Sequence, residues 1–155
     1  MLDSEIVQEA LEVSLQLFAA VALGGLVGVE RQLHGRWAGL RTHMTVSMGA
    51  AIFAISGMHL AGPLPDATRV IQGIAAGIGF LGAGTILKLS DELEVKGLTT
   101  ASSIWLSAAV GTAAGLKMYA LAVAATLMAL MVLAVFRPLE KWLERHVKHN
   151  SNGDE

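Results

Sequence analysis

Long apolar runs alternate with short polar breaks along this chain, and the runs have the length of helices rather than of strands. A bilayer core about 30 Å thick takes roughly 20 mostly apolar residues as α-helix. Five segments are read as spans: residues 6–29, 40–60, 70–87, 98–116 and 119–136. In the first, only 17–29 is free of polar side chains. Gly62-Pro63-Leu64-Pro65 marks a turn between the second and third, and Gly115-Leu116-Lys117 a very short turn between the fourth and fifth. The pattern predicts an all-α membrane protein with five transmembrane helices. After Pro138, Leu139, Trp142, Leu143, His146 and Val147 recur at helical spacing with bases on the other face. This predicts a short amphipathic helix on the membrane surface. Residues 1–136 then form a five-helix domain, 137–155 a cytoplasmic tail, and 150–155 an unstructured end.

Composition supports this class. The 155 residues are 54% hydrophobic and 15% charged, and the charged share is well below the roughly 25% of soluble domains. Asp3, Glu5, Glu9 and Glu12 stand where a secretory signal carries bases. There is no cysteine, which excludes disulfides and thiolate metal sites. The net charge of −2 hides a strong segregation. Arg31, Arg36, Arg41, Lys88, Lys96, Arg137, Lys141, Arg145 and Lys148 all fall on one side of the predicted membrane, and only Arg69 and Lys117 on the other. The positive-inside rule puts the N-terminus outside and the C-terminus in the cytoplasm.

Helices one and two resemble helices three and four. Gly25-Leu26-Val27-Gly28, Gly39-Leu40-Arg41-Thr42 and Ala50-Ala51 are echoed by Gly79-Phe80-Leu81-Gly82, Gly97-Leu98-Thr99-Thr100 and Ala108-Ala109. Both hairpins run outside to inside to outside, so the repeat is parallel and its axis lies along the membrane normal.

Two kinds of residue stand out. The first is glycine at small-xxx-small spacing: Gly24 and Gly28, Gly73 and Gly77, Gly111 and Gly115. Such pairs let helices approach closely in lipid, so they are assigned to helix packing. A second, less favoured reading has Gly77, Gly79, Gly82 and Gly84 marking a broken third helix that lines a cavity. The second kind is a polar cluster. Glu30 and Arg31 end helix one, Arg41, Thr42 and His43 open helix two, and Thr99 and Thr100 open helix four. Ionisable groups beside lipid must be solvated or paired. The plain reading is a topogenic signal plus capping, with Thr42, Thr99 and Ser102 bonded to backbone. The sharper reading is a site in which helix N-termini face the Glu30 carboxylate.

Magnesium takes octahedral oxygen ligands, often one or two carboxylates plus waters. Glu30 is the only acid at the edge of a span, so it is the one candidate metal ligand; Asp91, Glu92 and Glu94 lie in a loop. Glu5, Glu9, Glu12 and Gln16 share one helix face at the outer end, expected to be solvated. No Walker loop, zinc-protease motif or Ser-His-Asp set is visible, so an enzyme is not expected. Nor is there a basic, aromatic-interleaved surface for nucleic acid.

Four motifs in order, Gly25-Leu-Val-Gly-Val-Glu-Arg31, Ala38-Gly-Leu-Arg-Thr-His43, Gly77-Ile-Gly-Phe-Leu-Gly-Ala-Gly84 and Gly97-Leu-Thr-Thr-Ala101, resemble the MgtC/SapB family of bacterial inner-membrane proteins. The likeness covers residues 15–136. It implies a five-helix domain in a bacterial plasma membrane, a link to growth in low magnesium and, in pathogens, to survival inside host cells. The family was long labelled as magnesium transporters. The resemblance implies instead a regulatory role, in the type member one exerted on the F-type ATP synthase. Members often carry a soluble domain after helix five; here residues 137–155 follow, and a role that needs that domain is not implied.

Three functional expectations result. The first is a non-enzymatic regulator that binds another membrane protein, with the ATP synthase as one such partner, through glycine-rich faces that also suit a homodimer. The second is direct magnesium transport with Glu30 as principal ligand. The third is a packing scaffold with no ligand. Membrane lipid is a partner in every case.

Overall fold

The computed structural model describes residues 2–60, 65–88 and 95–151. Five helices dominate: α1 (Leu2–Leu33), α2 (Leu40–Leu60), α3 (Pro65–Ala83), α4 (Leu98–Gly115) and α5 (Tyr119–Ser151). A minimal antiparallel ladder joins β1 (Leu87–Lys88) to β2 (Val95–Lys96), pairing Leu87 with Lys96 and Lys88 with Val95. By length and composition two helical stretches, Ser4–Leu33 and Tyr119–Phe136, are apolar enough to cross a membrane, and Thr68–Ala83 is a shorter apolar helix.

Local chemistry sets the helix ends. Gly35 closes α1 in the left-handed region, at φ 64°, and the amides of Gly35 and Arg36 bond back to the carbonyls of Gln32 and Arg31 at 3.0 Å. Pro65 opens α3, where its missing N–H costs nothing. The helix stops at Ala83 rather than running on to residue 87, because Thr85 and Ile86 fold back onto Gly82 and Ala83 and Leu87 enters the ladder. Gly97 precedes α4 at φ 100°; a Cβ there would sit 2.9 Å from the Thr85 carbonyl carbon and closer still to its oxygen. Only glycine meets both demands. Lys117 ends α4 at φ 60° with no such freedom. At the far end, α5 does not stop at Phe136. It continues through Pro138 to Ser151, so the expected tail helix is continuous with it. The Gly62–Leu64 turn, the acidic loop at 89–94 and residues 152–155 lie outside the described residues.

α4 packs against each of the other four helices. It runs parallel to α2, since His43 meets Ser103, Ser47 meets Gly111 and Ala51 meets Gly115 in ascending order. α1 runs antiparallel to both, with Gln16 against Gly115 and Arg31 against Thr100. The interior is built from small residues: one cluster joins Ala20, Ala51, Val110, Ala114 and Ala122, another Ala50, Ile78, Ile104 and Ala108. Large side chains point outward, with Phe18, Phe53, Phe80 and Leu127 all well exposed. Small inside and large outside inverts the rule of soluble proteins and suits helices whose outer solvent is lipid.

The glycine pairs differ sharply. A Cβ on Gly24 would lie 2.6 Å from the Ser47 Cβ, one on Gly28 2.7 Å from the Leu40 Cα, and one on Gly115 2.7 Å from the Ala51 carbonyl oxygen. Gly111 abuts the Ser47 backbone more tightly still. Gly73 and Gly77, in contrast, face open space with nothing within 4 Å. Among the described residues nothing meets a Cβ at either position, and α3 is continuous past them rather than broken.

Candidate functional site

A buried polar cluster ties α1, α2 and α4 together at one end of the bundle. Arg31 lies in the last turn of α1 and is only 3% exposed. Its Nη2 donates to the Thr100 hydroxyl at 2.9 Å, bridging α1 to the first turn of α4. His43, in the first turn of α2, is fully buried. Its Nδ1 lies 2.9 Å from the Gly39 carbonyl oxygen and its Nε2 3.2 Å from the Ser103 hydroxyl. A carbonyl only accepts, so Nδ1 carries the proton, and Nε2 of the neutral ring is an acceptor. The Ser103 hydroxyl also reaches the Thr100 carbonyl oxygen at 2.9 Å. Its single proton is therefore shared between the α4 backbone and the α2 imidazole.

Glu30 sits beside this cluster. Its Oε1 lies 2.8 Å from His34 Nδ1, whereas its Oε2 is buried and has no hydrogen-bond partner among the described residues. No group of three His, Cys, Asp or Glu side chains among the described residues is placed to hold a metal. Glu30 alone supplies one oxygen toward the octahedral shell that magnesium prefers, and the hydroxyl of Thr100 is already engaged by Arg31.

Of the seven predicted polar-site residues, Arg31, His43 and Thr100 are brought together, with Glu30 adjacent. Arg41, Thr42 and Thr99 are exposed and stand apart. Of the three residues expected to bond backbone, Ser102 does so, donating to the Leu98 carbonyl at 2.9 Å one turn back within α4, while the N-cap Gly97 offers no side-chain cap. At the start of α2 the side chain that bonds backbone is that of Gln32, which accepts from the Leu40 amide at 3.1 Å.

The opposite end of the bundle carries a second polar group. Glu9 pairs with His59 at 3.2 Å and Glu12 with Lys117, linking α1 to α2 and to the α4–α5 turn. Both pairs are exposed and screened by water, so they contribute little. Gln16 departs from the expected solvated face: it is buried, and its Nε2 donates to the Gly115 carbonyl at 2.6 Å. Its partner is a helix-terminal carbonyl that α4 itself leaves unbonded.

A family model described as the MgtC family matches residues 17–142, a stretch that includes the buried cluster and the glycine seams. The chain belongs to the MgtC family. It is 38% identical over 148 residues to protein SrpB of Synechococcus elongatus, covering 87% of this chain and 81% of that protein. Protein MgtC of Brucella abortus is 45% identical over 128 residues, and protein MgtC of Salmonella typhimurium 43% over 123 residues. These matches cover 83% and 79% of this chain, and the chain spans about half the length of either MgtC protein, 52% in each. No solved structure matches it.

In this MgtC-family chain the residues that sequence reasoning missed share one signal. Ser47 follows His43 by four positions, and Ser107 follows Ser103 by four, so each extends a polar residue one turn into the core. Both are fully buried, and neither hydroxyl has a partner among the described residues.

Proposed function

We propose that this MgtC-family chain is a five-span protein of the bacterial inner membrane that adapts cells to low magnesium by regulating another membrane protein. The carrying observation is the clamp: Arg31, Thr100, Ser103 and His43 turn their polar atoms toward one another across three helices. Groups so engaged set a helix arrangement that a partner can recognise. The nine-to-two segregation of Lys and Arg supports an N-outside, C-inside orientation. A Cβ on Gly28 would lie 3.1 Å from the His43 Cβ, and one on Gly82 would lie 3.6 Å from the Cβ of Ala101, the corresponding position of the second hairpin, which supports the two-hairpin repeat. The family resemblance supports the magnesium link and makes the F-type ATP synthase one candidate partner. A second reading, direct magnesium transport, is favoured by the buried and unpartnered Glu30 Oε2.

Growth in low magnesium tests the first reading. In cells lacking the chromosomal copy, Arg31→Gln and Ser103→Ala variants at normal membrane abundance are expected to fail to restore growth. Full rescue by both would reject the clamp as the functional element.

A further inference from the structure

The outward side of the α2–α3 seam holds an apolar groove of about 660 Å³, distinct from the buried cluster. Thr45, Gly49 and Phe53 line it from α2, and Gly73, Gly77 and Leu81 from α3. Glycine makes the groove, because Gly49, Gly73 and Gly77 each face open space. On α3 it runs from residue 70 to 81, a rise of about 16 Å. That is about half of the roughly 30 Å hydrocarbon core, the depth of one leaflet.

Its shape suits a hydrocarbon chain: the lining is apolar, and a flexible acyl chain follows an irregular groove one leaflet deep without needing a hydrogen-bond partner. Charge completes the argument. Arg41, Thr45, Gly49 and Phe53 recur every four residues on one stripe of α2, so Arg41 stands one turn, about 6 Å, beyond the mouth of the groove. It is exposed and forms no ion pair among the described residues. The Thr45 hydroxyl at the mouth is turned back onto the Arg41 and Thr42 carbonyls at 2.9 and 3.1 Å, so the lining stays apolar there.

The geometry points to a phospholipid site: one acyl chain lies in the α2–α3 groove and the phosphate of the same lipid meets Arg41 at the membrane surface. This gives Arg41 a role outside the buried cluster. It rests on the membrane-spanning reading of α2 and α3.

The test uses the full chain, stripped of lipid in detergent and titrated with phosphatidylglycerol under native mass spectrometry. The wild type is expected to hold one lipid in preference to others. Gly77→Leu fills the groove and should weaken that binding about tenfold, the loss of about two buried methylenes' worth of contact. Arg41→Gln should weaken it about threefold, as for one exposed ion pair. Gly79→Leu is the control, because Gly79 also faces open space on α3 but does not line the groove; it should bind as the wild type does. Equal binding by the wild type and the Gly77→Leu variant, with both resisting carbonate extraction from membranes, would overturn the site while leaving the membrane reading intact. Release of the wild type by carbonate would overturn both.

Discussion

Replacing Gly111 by alanine should cost far more stability than replacing Gly73, although both open a Gly-x3-Gly pair. A Cβ on Gly111 would stand 2.6 Å from the Ser47 carbonyl carbon and 2.7 Å from its Cα. Backbone cannot rotate aside, so an ordinary separation of about 3.5 Å requires α2 and α4 to part by about 1 Å. Overpacking of this kind costs about 1–3 kcal/mol. The upper end applies here, because parting also loosens the Gly115–Ala51 contact one turn along the same seam. A loss of about 3 kcal/mol lowers the folded-to-unfolded ratio by somewhat more than a hundredfold. At Gly73 the added methyl meets nothing, and the better helix propensity of alanine makes the change neutral to about 1 kcal/mol stabilising. Denaturant titration in detergent, followed by helical circular dichroism, reads both variants. Equal shifts in the two would refute the reasoning that the α2–α4 seam is closed and the Gly73 face open.

The paired threonines give a second contrast. Thr100→Val removes an acceptor of the buried Arg31 guanidinium and should destabilise by about 1–3 kcal/mol, whereas exposed Thr99→Val should stay within about 0.5 kcal/mol in the same titration. Lys117→Gly should relieve a left-handed backbone costing about 1–2 kcal/mol and remove a weak exposed pair with Glu12, for a net gain in melting temperature; a clear loss would mean that the Glu12 contact dominates.

Much of the architecture was legible in the sequence because lipid leaves few choices. A chain of apolar runs must satisfy its backbone within each run, so helices follow directly. α2 matches its expected bounds, and α4 differs by one residue. The misses are local. At the end of α3, Leu87 continues an apolar run, but Gly84 and Thr85 permit a turn and the ladder then captures it. At Pro138 the sequence carries a helix breaker, yet the helix passes through. The site was half legible. Arg31, Thr100 and His43 announced themselves as polar residues next to lipid-sized spans. Spacing alone could not separate Thr100 from Thr99 or Arg31 from Arg41, since which of two neighbours turns inward is fixed by helix rotation against a partner. Gln16 was misplaced for the same reason: it shares a face with three acids, but it lies where α1 has already met the end of α4.

On the proposed function the buried polar groups hold helices in place for regulation and conduct no ion. Magnesium entry into proteoliposomes loaded with a magnesium-sensitive dye tests it most directly, with helical content checked on the same vesicles. Uptake is expected to be no faster than in protein-free liposomes, for the wild type and for Glu30→Gln alike. Saturable magnesium uptake by the wild type that Glu30→Gln abolishes would contradict it.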